Sequence, residues 1–320
     1  MPPPIALGII GFGIMGERLL RAALAHAAES VTPVAVFDPA PEAAARLAAI
    51  APDVRMLGSA EAVIAACECL YVATPPRLHI PLARAALAAG RAVFLEKPLA
   101  TDLEEARGFV AEAEAAGARA AVNFPMASSP AVALLAEWQT ALVPERLEIG
   151  VGFATWPRGW QQGAAGWLAR RAEGGFTREV VSHFLFLTRR RLGPLALQEA
   201  KATYPAGDGA ETALRARLTA GGVPVTLTGG VGTTAKDDHN TWVLNGAIRL
   251  RDWSFAEKLG ADGAWAAPPD AMPNEKMRPL VLQRQLAGVA AMTRGEAHHL
   301  ATLREALEVQ EMVEAMLATA

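Results

Sequence analysis

Lys97, Glu179 and His183 are the residues whose types and spacing could move a proton and steady a charge. Lys97 closes the apolar run Phe94-Leu95-Glu96 and is followed by Pro98, which restricts the backbone before it. It reads either as a surface lysine or as an amine held at a strand tip, where a cation would stabilise negative charge growing on a substrate oxygen. Glu179 and His183 stand four apart in a segment with helical spacing, so they share a face and could reach a common ligand. An imidazole titrates near neutral pH and suits general-base work, whereas a carboxylate–histidine pair of purely structural purpose is the alternative.

A second constellation lies at the start of the chain. Ile5–Ile10 reads as a buried strand, Gly11-Phe12-Gly13 as a tight turn, and Ile14-Met15-Gly16 as the opening of a helix. Gly11 allows the turn, Gly13 lets the backbone approach a pyrophosphate, and Gly16 lets the helix pack on its strand. The first N–H groups of that helix and its positive dipole end would meet the phosphates. Asp38 ends the next apolar run, Val34–Phe37, where an acid would accept hydrogen bonds from ribose hydroxyls. No arginine follows it before Arg46, which favours NAD, with NADP as the alternative. Thr74 and Pro75, with His79 on the next helix, and Glu96 with Lys97 are candidates to line the same dinucleotide.

These residues need elements to position them. Over 1–122 short apolar strands alternate with alanine-rich helices, which predicts an α/β Rossmann domain with a doubly wound parallel sheet. Ligands of such a sheet lie beyond the carboxyl ends of its strands, where Asp38, Thr74 and Lys97 fall. Over 123–320 strands follow one another without intervening helices. That predicts an α+β domain with an open, mostly antiparallel sheet, serving substrate binding and oligomerisation. Gly221-Gly222 and Asn245-Gly246 signal hairpins, 256–274 reads as loop, and two amphipathic helices close the chain.

Composition narrows the partners. Just over half of the 320 residues are apolar, enough for two cores. A net charge of −3 with both signs dispersed offers no nucleic-acid footprint, and Arg189-Arg190-Arg191 is read as complementing a helix end. No apolar run reaches membrane-spanning length, and Met1-Pro2-Pro3-Pro4 lacks signal-peptide character. Cys67 and Cys69 have no partners for a disulfide framework or a metal site, which suggests a reducing, cytoplasmic setting. The expected partner is a small-molecule substrate, with assembly as a homo-oligomer, dimer or tetramer, through an exposed apolar sheet face.

In order, Gly11–Gly16, Ala73–Pro76, Glu96-Lys97-Pro98, the Gly174-Gly175 to His183 segment and Arg304-Glu305-Ala306-Leu307 resemble the Gfo/Idh/MocA family of glucose–fructose oxidoreductase and inositol dehydrogenase. The resemblance implies NAD or NADP in the first domain, substrate between the two, and reversible hydride transfer to or from a carbon bearing a hydroxyl. It implies that Lys97 and His183 are active-site residues, and that Glu179 stands where the family usually has aspartate. Phe124-Pro125-Met126-Ala127 replaces a segment in which many members carry arginine, and Val181 stands where a small residue is common. With Trp156, Trp160 and Trp167 in the preceding loop, these changes suggest a less polar pocket, with membership of the core as the equal alternative for the tryptophans. Two other classes stay open: a lyase or epimerase that retains NAD, and a cofactor-binding regulator without turnover.

Overall fold

The computed structural model describes residues 2–318, leaving Met1, Thr319 and Ala320 outside it. The chain forms two units, one of Met1–Ser128 with Arg278–Leu307, the other of Ser129–Met277 with Glu308–Ala320. The expected cut at 122/123 falls six residues before the first boundary and misses the return of 278–307 to the first unit.

The first unit runs β1 (Ile5–Ile10), α1 (Ile14–His26), β2 (Val31–Phe37), α2 (Pro41–Ile50), β3 (Arg55–Met56), α3 (Ala60–Ala66), β4 (Cys69–Val72), α4 (His79–Ala88), β5 (Ala92–Leu95), α5 (Leu103–Ala115) and β6 (Ala120–Val122). Its strands pair in parallel in the order β3-β2-β1-β4-β5-β6. Strand order reverses between β1 and β4, the switch point beyond which a doubly wound sheet binds its ligand. The central strands are buried on both faces, hence their uninterrupted apolar runs: Cys69–Val72 and Ala92–Leu95 have no exposed residue. Ser59 and Asp102 cap α3 and α5 with side-chain oxygens.

The second unit contains α6 (Pro130–Gln139), β7 (Leu147–Phe153), a short α7 (Ala165–Leu168), a π-helical turn over Thr177–Val181 and α8 (Ser182–Leu192). Seven strands follow: β8 (Leu195–Thr203), β9 (Ala213–Ala220), β10 (Val223–Val231), β11 (Asp238–Leu244), β12 (Ile248–Arg251), β13 (Phe255–Leu259) and β14 (Trp265–Ala266). They join β7 in an eight-stranded sheet ordered β14-β13-β12-β11-β7-β10-β9-β8. Every pairing is antiparallel except β7 with β10. The stretch expected to be loop after Ala256 thus supplies β13 and β14. Its glycines and prolines hide two short strands that only pairing reveals, β13 with β12 and β14 with β13.

Alternation decides the faces of this sheet. Ile149, Val151, Leu214, Leu218, Leu227 and Trp242 point inward, and Trp242 Nε1 donates to Thr188 Oγ1 of α8 at 3.0 Å. The alternate positions Glu148, Arg215, Arg217, Thr226 and Thr228 are exposed. The other face is therefore polar, which corrects the expectation of an exposed apolar surface. Helices α9 (Asn274–Arg294) and α10 (Leu303–Leu317) end the fold.

Candidate active site

In the first unit the site grows from the turn after β1. Gly11 has φ +94, and a Cβ there would collide with the Ala73 carbonyl oxygen and lie 2.8 Å from Thr74 N. At Gly16 a Cβ would strike the Gly11 carbonyl oxygen, so α1 packs on the turn only because this residue has no side chain. Gly13 differs: nothing lies within 4 Å of its added Cβ. It is the N-cap of α1 and supplies no side-chain cap, so the first N–H groups of α1 have no acceptor from a capping side chain. That arrangement suits a pyrophosphate, and Ile14 and Met15 open the helix beside it.

Asp38 stands directly after β2. Its Oδ2 accepts from Phe12 N at 2.5 Å and its Oδ1 from Ala40 N at 2.8 Å, so the carboxylate is fixed by backbone while each oxygen keeps capacity for a hydroxyl. Arg46, distant in sequence, reaches the turn: Nη2 donates to the Phe12 carbonyl at 2.6 Å. Phe12 is fully buried and clamped through both backbone groups, one by the acid and one by the guanidinium.

At the ends of β4 and β5 two expected contacts turn inward. His79 has no exposed surface, and its ring nitrogens lie 2.8 Å from Pro98 O and 2.9 Å from Thr74 O. It braces the two strand-end loops from beneath instead of lining a cofactor. Burial holds its pKa below the usual histidine range, against the pull of the carbonyls. Glu96 is buried too: Tyr71 Oη and Asn123 Nδ2 donate to its Oε1, and Gln285 Nε2 donates to Asn123 Oδ1 at 2.6 Å. Burial and the neighbouring Glu96 charge push the Tyr71 phenol well above its ordinary value. Lys97, the next residue, is half-buried, as is Thr74, while Pro75 is exposed.

In the second unit Glu179 lies in the π-helical turn and His183 is the second residue of α8. The expectation was one regular helix; a π turn, a feature recurrent at functional sites, leads into it. Glu179 is half-buried and His183 is 9% exposed. The ring of His183 meets Trp253 edge-to-face at 5.5 Å. Arg178 forks onto Glu314 with two bonds of 2.7 Å and donates to the Arg171 and Gly174 carbonyls.

Glu211, which local pattern did not single out, fastens the start of the π turn. Its Oε1 accepts from Thr177 N at 2.7 Å, and it is 1% exposed. Gly175, at φ +100, is required here because a Cβ would collide with this carboxylate. Burial raises the Glu211 pKa, opposed by the Thr177 amide and the Arg178 charge. The Leu168 carbonyl accepts from both Gly175 N and Trp156 Nε1 at 3.0 Å, tying the tryptophan-bearing segment to the same turn. Trp160 and Trp167 are exposed at 46% and 38%. The arginine run is used locally, with Arg189 forked on Glu308 and Arg191 on Gln139.

Cys67 and Cys69 are buried free thiols, which burial pushes up to about 11 and about 12. Among the described residues no helix is long and apolar enough to cross a membrane.

Residues 5–124 match the Gfo/Idh/MocA family, described as an oxidoreductase family with an NAD-binding Rossmann fold. An inositol 2-dehydrogenase of Cereibacter sphaeroides is 39% identical over 116 residues, 36% of this chain and 34% of that protein. The match thus spans about a third of that relative. An oxidoreductase from Agrobacterium radiobacter, solved with NAD+, L-tartaric acid and magnesium, shares the fold with TM-score 0.81 at 16% identity, over 99% of this chain and 96% of that one. The WlbA dehydrogenase of Bordetella pertussis, solved with NADH and UDP-GlcNAcA, gives TM-score 0.75 at 22% identity, over 99% and 95%.

Proposed function

We propose, from the membership of residues 5–124 in the Gfo/Idh/MocA oxidoreductase family, that this protein is an NAD-dependent dehydrogenase acting on CH–OH groups. Its substrate class is a small polyol, sugar-like or cyclic alcohol, a reading supported by the likeness of about a third of the chain to an inositol 2-dehydrogenase. The observation that carries it is the turn after β1, where an open Gly13 and an uncapped α1 meet the fixed carboxylate of Asp38.

NAD supplies hydride acceptance at its nicotinamide carbon. The chain's residues supply alignment and charge. Gly11, Phe12, Gly13, Ile14, Met15 and Gly16 form the pyrophosphate seat, and Asp38 takes the ribose hydroxyls. Thr74 and Pro75 line the dinucleotide, with His79 and Glu96 holding the loops beneath it. His183 takes the hydroxyl proton as the alcohol is oxidised, Lys97 stabilises negative charge on that oxygen, and Glu179 orients the imidazole or binds a neighbouring hydroxyl. A cytoplasmic location and a homo-oligomer, dimer or tetramer, complete the proposal; reduced thiols support the first.

The test is a screen of polyols, sugars, cyclic alcohols and hydroxy acids, and their ketones, with NAD(H) and NADP(H), following reduced nicotinamide. His183→Ala should lower turnover of an active substrate by about a hundredfold or more while NADH affinity is kept, since a general base contributes about 10²–10⁴-fold. Unchanged turnover removes His183 from the mechanism. Protein that purifies with NAD and transforms substrate without net NADH assigns the chain to a lyase or epimerase.

A further inference from the structure

The hairpin joining β12 to β13 has an unusual residue at its tip. Ser254 N bonds to Arg251 O, closing a turn whose central residues, Asp252 and Trp253, have φ 46 and φ 72. Two consecutive left-handed residues are ordinarily Asn-Gly or Asp-Gly, because glycine takes the second position without steric cost. Aspartate tolerates this conformation; a tryptophan there is an outlier. Backbone strain persists when its surroundings over-determine it, and such positions cluster at functional sites.

Asp252 N donates to Asn240 O at 2.8 Å, and Asp252 Oδ1 accepts from Asn240 N at 3.2 Å and lies 2.7 Å from His239 Nδ1. Its Oδ2 pairs with Lys236 at 3.2 Å and Arg251 at 3.1 Å. The neighbouring strand adds Glu257, forked between Arg249 and Arg251. The turn is thus pinned on both sides, and its one large side chain is delivered to α8. The indole packs on Phe184 at 5.2 Å and meets the His183 ring at 5.5 Å with the planes 78° apart.

We infer that Trp253 is a positioning residue for His183: the strained turn holds an indole against the imidazole, fixing the ring in one orientation. This rests on the reading of His183 as the base. A wall of this kind acts on catalysis out of proportion to its energy, because a misplacement of about 1 Å can cost about 10²-fold in rate. Glycine at 253 would relieve the backbone while abolishing the wall, so stability and function are predicted to part company there.

The experiment uses the full-length protein with Trp253→Phe, Trp253→Ala and Trp253→Gly, and His183→Asn as reference. In the ligand-free protein, the imidazole ¹H–¹³C cross-peaks of His183 are identified by their loss in His183→Asn. They are expected as one sharp set, displaced by the indole ring current, in the native protein and in a similar single set in Trp253→Phe. In the alanine and glycine variants they should be broadened and undisplaced, while Trp253→Gly melts no lower than Trp253→Ala. With NAD and myo-inositol as the probe, kcat should fall about tenfold or more in both small variants with KM kept within about twofold, and phenylalanine should restore most of it. A single sharp His183 set in Trp253→Gly, displaced or not, overturns the inference whether or not myo-inositol is turned over. So does a native kcat in Trp253→Gly, or a loss confined to KM. If His183→Asn itself retains native turnover, the base assignment has failed, an outcome distinct from these and one that takes the inference with it.

Discussion

Replacing Gly13 by alanine separates cofactor binding from folding. In the protein without ligand the added methyl meets no atom within 4 Å. Its cost is then that of exchanging glycine for alanine at an N-cap, about 0.5–1 kcal/mol, which is about 3 °C or less in Tm for a chain of this length. At Gly16 the same methyl would strike the Gly11 carbonyl oxygen, so the turn itself would have to move. A pyrophosphate seated on the first N–H groups of α1 lies where the Gly13 methyl would project. Losing one charge-assisted hydrogen bond there is worth about 1.5–3 kcal/mol, or about 10- to 150-fold in NADH affinity. Calorimetric titration with NADH, beside a thermal scan of each variant, reads both quantities. Gly13→Ala should lose NADH with only that small drop in Tm, whereas Gly16→Ala should lose both NADH and a much larger share of its stability. Native NADH affinity in Gly13→Ala would show that the pyrophosphate does not approach this backbone, and the seat assigned to the turn would be wrong.

At pH 8 the neutral His79 ring donates its one N–H to either the Thr74 or the Pro98 carbonyl, so His79→Ala should cost about 1–3 kcal/mol there. Because burial lowers the folded-state pKa of His79, the native protein takes up fewer protons there than the unfolded chain. Its stability from this residue falls as pH drops through about 6.5, so the variant's deficit should shrink by pH 5, as thermal scans at the two pH values will show; a larger deficit at pH 5 refutes this. Glu211 carries the opposite sign. Its folded pKa is raised, so the native state loses stability as pH climbs from about 4.3 through the folded value. The Tm of Glu211→Gln relative to the native protein should therefore rise between pH 4 and pH 8, and a flat difference would count against an ionised, buried carboxylate.

Local pattern made much of the first unit legible. Buried parallel strands announce themselves as apolar runs, and Gly11 and Gly16 sit where only glycine fits. Asp38, Thr74 and Lys97 were legible as strand-end residues because a doubly wound sheet places function there. What was hidden depends on closures between distant residues. Arg46 meets the Phe12 carbonyl from 34 positions away, and Glu211 meets Thr177 from the same separation. Glu96 and His79 read as cofactor contacts because both lie beside the expected site, yet alternation after β5 sends Glu96 into the Tyr71–Asn123 network and the first turn of α4 buries His79. A π turn has no signature in residue order. The two-residue β14 is shorter than any periodicity can register.

The return of residues 278–307 to the first unit has a consequence for synthesis. Leu282, Leu286, Val289, Ala290, Met292 and Leu300 share one apolar cluster with Ile5, Leu7 and Ile9. A ribosome releases the amino end first, so the nascent chain presents β1 and its neighbours with part of their covering still untranslated. The first unit can bury that surface fully only after most of the second has emerged. A fragment ending at Ser128 should accordingly be prone to aggregate, and adding 278–307 back as a separate peptide should improve its solubility.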